Sequence, residues 1–213
     1  RWPEETLARL RQWAEDDNYH VRRLVSEGMR PKLPWARKVD LTTAQTLPLR
    51  DALQADPTRF VTRSVANHLN DVAKTEPDAV LGRLAAWERD GTQAKAERAW
   101  MRRHALRTLI KDGHPGAMEM LGYAADLDID VDLTIETAAV TLGDALRFAV
   151  TMSGAQGGSV IVDYRIRFAR PGGRSGEKVF KLKVAEVEPG NPLVLAKIHK
   201  LKANATTFEL RPG

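Results

Sequence analysis

Glu27 and Asp71 are the carboxylates whose surroundings suggest chemistry. Asp71 ends the run Ser64-Val-Ala-Asn-His-Leu-Asn-Asp71, and Asn67 lies one turn before it on the same helical face. Ser, two Asn, His and Asp are middling helix formers, and such a run is too polar for a buried helix. Glu27 has Arg23 one turn before it and Arg30 just after. Two prolines, Pro31 and Pro34, then break the helix and set Trp35 on a loop. A single carboxylate is most often merely solvated. Two of them on adjacent helices, beside an aromatic ring and among arginines, make a candidate site. The arginines suit phosphate, whereas carboxylates repel a polyanion and need another purpose.

These residues ride on a helix written three times at a spacing of forty residues. The copies begin at Tyr19, Arg59 and Ala99, with Val21, Val61 and Met101 in register and Arg23, Arg63 and Arg103 in register. A period near forty in helical sequence indicates a HEAT-like solenoid, in which each helix pair buries its apolar side against the next. Apolar spacing predicts helices near 4–15, 19–29, 42–54, 58–74, 78–89, 93–112 and 115–122. The repeated helices would line the concave face. Asp16 and Asp56 are expected to bond Arg23 and Arg63, while Ala96 takes that place in the third copy and leaves Arg103 for phosphate.

After Ala124 the apolar period becomes two. Ile129–Ile135, Leu146–Met152, Val160–Phe168, Val179–Val187 and Leu193–His199 read as strands separated by Gly and Pro turns. The expected architecture is therefore an α-solenoid over 1–123 followed by an immunoglobulin-like β-sandwich over 124–213, short of its usual seven strands. Lys178, Lys181 and Lys183 are expected on one face of it.

The absence of cysteine excludes disulfides, thiolate metal sites and cysteine nucleophiles. The five histidines show no metal-ligand spacing on one helix. No glycine-rich phosphate loop precedes a helix. No apolar run approaches the roughly 18 residues of a membrane span. A net charge of +5 permits a polyanionic partner. The basic residues cluster, with Arg22, Arg23, Arg30, Lys32, Arg37 and Lys38 in one segment and Arg102, Arg103 and Arg107 in another.

Three strings at these same places resemble the AlkC branch of the HEAT-like DNA alkylation repair glycosylases. They are His20 to Ala36, Ser64 to Lys74 and Arg103 to Pro115. Asp163-Tyr-Arg-Ile-Arg-Phe168 and Lys178-Val-Phe-Lys-Leu-Lys183 resemble strands of that branch's immunoglobulin-like domain. The resemblance implies excision of cationic N-alkylated bases, such as 3-methyladenine, from duplex DNA without base flipping. It implies Asp71, Glu27 and Trp35 as catalytic residues. Arg23, Arg30, Arg37, Asn67, Asn70, Arg102, Arg103 and Arg107 would hold the DNA. It further implies a cytoplasmic monomer that works with no metal or cofactor and no membrane. Relative to that family, helical repeats before Arg1 and a last β-hairpin after Gly213 are expected to be missing. The alternatives are a non-catalytic repeat module that binds DNA or protein, and a peptide-binding solenoid.

Overall fold

A computed structural model describes residues 3–31, 33, 41–124, 126–169 and 175–202. The chain divides into two compact units, Arg1–Leu121 and Gly122–Gly213.

The first unit holds eight helices among the described residues: α1 Pro3–Trp13, α2 Tyr19–Glu27, α3 Thr43–Leu53, α4 Arg59–Val72, α5 Pro77–Asp90, α6 Lys95–Ala105, α7 Arg107–Lys111 and α8 Pro115–Met120. Local chemistry explains their ends. Asn18 caps α2 by accepting from the His20 N–H, and Thr42 and Gln45 form a capping box at α3. Pro77 and Pro115 open α5 and α8, where a missing N–H costs nothing. Gly91 closes α5 in the left-handed region at φ 64°, donating to the Trp87 carbonyl.

The expected helix over 93–112 is two helices. Leu106 leaves helical geometry at φ −93°, ψ 4°. The Asn70 side chain on α4 accepts from the Thr108 N–H at 3.1 Å, so the break is capped from a neighbouring repeat.

α4 packs between α2 and α6, and its Val61, Val65, Leu69 and Val72 sit in the core with Val25, Met101 and Leu106. The repeats are cross-linked by polar bonds as well. Arg22 Nε donates to Asp56 Oδ2 at 2.6 Å, and Thr62, forty residues on from Arg22, donates to Glu97 Oε1 at 2.8 Å. The arginine that meets the repeated aspartate is therefore Arg22 and not Arg23. Successive residues point about 100° apart on a helix, so Arg22 reaches the next repeat's turn while Arg23 projects elsewhere. Asp16 and Asp56 also tie their own turns, accepting from the backbone N–H of Asn18 and Thr58, both at 2.8 Å.

The second unit has strands β1 Asp130–Ile135, β2 Ala145–Ser153, β3 Gly158–Ala169, β4 Ser175–Val187 and β5 Leu193–Lys200. They form an antiparallel β1-β2-β5 sheet and an antiparallel β3-β4 pair. Alternation sends Phe148, Val150, Met152 and Leu195 to one face, where they meet Val187, Val160, Val162 and Tyr164. The Tyr164 hydroxyl and His199 Nδ1 lie 2.7 Å apart and join the two sheets. A register shift between Val162 and Asp163 separates the three lysines. Lys183 and Lys178 pair with Val162 and Ile166 on one face, whereas Lys181 pairs with Asp163 on the other.

Candidate active site

α4 is buried along most of its length despite Ser64, His68, Asn70 and Asp71. The expectation that so polar a run cannot be buried is corrected by its partners, each supplied by a different element. Ser64 Oγ donates to Glu27 Oε2 at 2.7 Å. Asn70 caps α7. Asp71 takes two cations. A buried polar group costs little once it is bonded.

Arg30 is the centre of the acid cluster. Its Nη1 donates to Glu27 Oε1 at 2.7 Å. Its Nε and Nη2 lie 2.9 and 2.8 Å from Asp71 Oδ2. One guanidinium thus ties the last residue of α2 to the last turn of α4. Lys74 Nζ takes the other Asp71 oxygen at 3.0 Å, and Arg23 Nη2 lies 3.3 Å from Glu27 Oε2. Burial pushes the Glu27 carboxyl up, but the Ser64 and Arg30 hydrogen bonds and the charges of Arg30 and Arg23 hold it below its ordinary value. Glu27 is therefore ionised at neutral pH. The Asp71 side chain is only 4% exposed. It edges an open cavity of about 630 Å³ bounded by Met29, Leu41, Thr46, His68 and Glu76.

Beneath this cluster lies a buried pair. Arg50 is fully buried on α3, and burial pushes its guanidinium down to about 9. Its Nη1 donates to the Thr46 carbonyl at 2.5 Å, and its Nη2 lies 2.7 Å from His68 Nδ1 and 3.0 Å from Nε2. His68 Nδ1 lies 3.2 Å from the Ser26 carbonyl. Arginine only donates, so the His68 nitrogen it meets accepts, which makes the imidazole neutral. Burial, then the charge of Arg50, holds His68 well below its ordinary value. The unfolded chain takes up this proton below about pH 6.5 and the folded chain does not, so stability is present above that pH and falls below it, by up to about 1.4 kcal/mol per unit. Denaturation midpoints at pH 7.5, 6.5 and 5.5 are expected to decline for the wild type and to decline less for His68→Gln. Equal slopes would refute this account of His68.

The other sequence candidates are distributed as follows. Trp35 and Arg37 lie outside the described residues. Arg23 donates to the Phe60 carbonyl at 2.9 Å, with its guanidinium 4.1 Å from the Phe60 ring centre. Arg102 pairs with Glu88 at 3.1 Å. Asn67 Oδ1 meets His104 Nε2 at 2.9 Å. Asn70 is buried and accepts from the Thr108 N–H. Arg107 is exposed and donates to the His104 carbonyl at 2.7 Å. Arg103 is exposed and makes no ion pair among the described residues. Sequence reasoning missed Arg30's bridging role, the Arg50–His68 pair and His104. The signal for the last was present, since Trp100 and His104 are four apart in the third copy and their rings stack at 4.9 Å.

Comparison with known proteins gives this geometry a family. The profile of the DNA alkylation repair enzyme family matches residues 2–109. The profile of the C-terminal Ig-like domain of uncharacterised protein YhaZ matches residues 130–213. YhaZ of Bacillus subtilis (strain 168) is 33% identical over 203 residues, covering 93% of this chain and 56% of that protein. The solved structure of Pseudomonas fluorescens alkylpurine DNA glycosylase AlkC, bound to DNA containing an abasic site analog, superposes with a TM-score of 0.89 at 34% identity. That superposition covers 99% of this chain and 59% of AlkC, so the chain spans less than two thirds of either relative. The chain belongs to the DNA alkylation repair enzyme family, with the helical-repeat and immunoglobulin-like architecture of AlkC.

Proposed function

We propose that the chain is the catalytic part of a DNA glycosylase that hydrolyses the N-glycosidic bond of cationic alkylated bases, such as 3-methyladenine, in duplex DNA. The observation that carries this is the cluster of Glu27, Arg30 and Asp71, in which one arginine holds two carboxylates from adjacent repeats on a face that also carries exposed cations. A base that is already positive leaves with the bonding electrons as a neutral purine, so no general acid is required. What needs help is the oxocarbenium-like sugar and the water that adds to its C1′. In this reading Asp71 and Glu27 supply negative charge for that cation, and Asp71, which borders the cavity, takes the water's proton. Trp35 is assigned the face of the deoxyribose. The exposed arginines Arg103 and Arg107 take phosphates, which makes binding salt-sensitive. The family resemblance extends this reading to excision without base flipping.

The test is release of purines from methylated duplex, separated by chromatography, for this chain and for a longer chain carrying flanking residues. The expected product is 3-methyladenine, with no rise in fluorescence from a 2-aminopurine set beside the lesion. Duplex binding without release by either chain would leave a DNA-binding module in place of the enzyme.

A further inference from the structure

His104 stands at the junction of α4, α6 and α7, on the side of the molecule that carries Asn67 and Arg107. Its Nε2–H donates to Asn67 Oδ1 at 2.9 Å, which leaves Nδ1 as the nitrogen that titrates. Trp100 covers one face of the ring at 4.9 Å and 14°. Arg59 lies over the Trp100 ring at 4.0 Å and is matched by Glu97. Arg63 on α4 and Arg107 on α7 complete the surroundings, and both are exposed. Neither bonds a carboxylate among the described residues, although Asp71 and Arg30 both act on Arg107 from a distance. The positive charges of Arg63 and Arg107 thus act on one imidazole whose Nδ1 has no bonded partner among the described residues. Such a set is complementary to an oxyanion.

We propose that His104, Arg63 and Arg107 form a phosphate site for the DNA backbone that is filled by the imidazolium form, so that duplex binding takes up one proton from solvent. This rests on the DNA-binding part of the function proposed above and deepens it. Without phosphate, burial and then the charges of Arg107, Arg63 and Arg59 hold His104 below its ordinary value, so it is neutral near pH 7. A phosphate neutralises those charges and accepts from Nδ1–H, which favours the protonated ring. The Trp100 face also stabilises a cation. Because the bound complex holds more protons than the free chain, affinity rises as pH falls across the interval between the two titration midpoints, by up to about tenfold per unit for one proton.

The experiment measures affinity for an unmodified duplex from pH 8 to 6 at constant salt, for wild type, His104→Gln and the exposed Arg63→Gln. Wild type is expected to gain several-fold in affinity over that range, and His104→Gln to lose most of that gain. Histidine NMR is expected to show the His104 midpoint moving up when duplex is added, with a smaller movement in Arg63→Gln. Duplex binding with the same pH slope in His104→Gln, and an unmoved His104 midpoint, would overturn the phosphate site while leaving DNA binding intact. No binding to duplex at any pH would overturn the proposed function together with this site.

Discussion

Asp71→Asn is expected to lower base release by roughly 10²–10³-fold, the scale of removing one group that stabilises transition-state charge. The loss should fall on kcat. Asparagine keeps an oxygen for Arg30 but removes the charge that faces Arg30 and Lys74. Those cations are then unneutralised, so affinity for duplex is expected to hold or rise while turnover collapses. That split separates an electrostatic and base role from a structural one, which would weaken binding and turnover together. Weakening the partly buried pairs is expected to cost about 1–3 kcal/mol of stability, which leaves the unit folded at 25 °C. Wild-type release by Asp71→Asn would remove Asp71 from the mechanism.

Leu69→Ala is expected to cost about 2–5 kcal/mol, the range for emptying a well-packed leucine site. Leu69 is 0% exposed, on the helix that packs against both α2 and α6. A helical repeat is stabilised mainly by its neighbours, so a cavity there loosens two interfaces at once. The chain has two compact units, and only the helical one should respond. Thermal unfolding followed at 222 nm is expected to show the helical transition moving down while the β transition stays. A loss below about 1 kcal/mol would mean that the site collapses around the smaller side chain.

The repeat itself was legible. Of Val21, Val61 and Met101, read as one architectural position, the last two are buried and Val21 is half-buried, and the five strands fall where the apolar period becomes two. The strands are legible because alternation is a local pattern that the backbone imposes on any half-buried sheet. Bonding partners were much less so. The Arg22–Asp56, Ser64–Glu27, Asn67–His104, Asn70–Thr108 and Arg30–Asp71 bonds join residues 34 to 41 apart, about one repeat. Which of Arg22 and Arg23 meets Asp56 depends on the rotation between successive repeats, and spacing along one helix does not carry that rotation.

The same distinction runs through the site. Composition and spacing were enough to determine that Glu27 and Asp71 belong to neighbouring repeats, that helices precede strands, and that cysteine chemistry is absent. These follow from residue type and periodicity, which act over a few residues. Only the tertiary structure decided that Arg30 binds both carboxylates, that the polar helix α4 is an interior one, and that His104 bonds Asn67. A polar side chain takes the partner that packing brings within about 3 Å, and helix packing is set by apolar faces that the polar residues do not share.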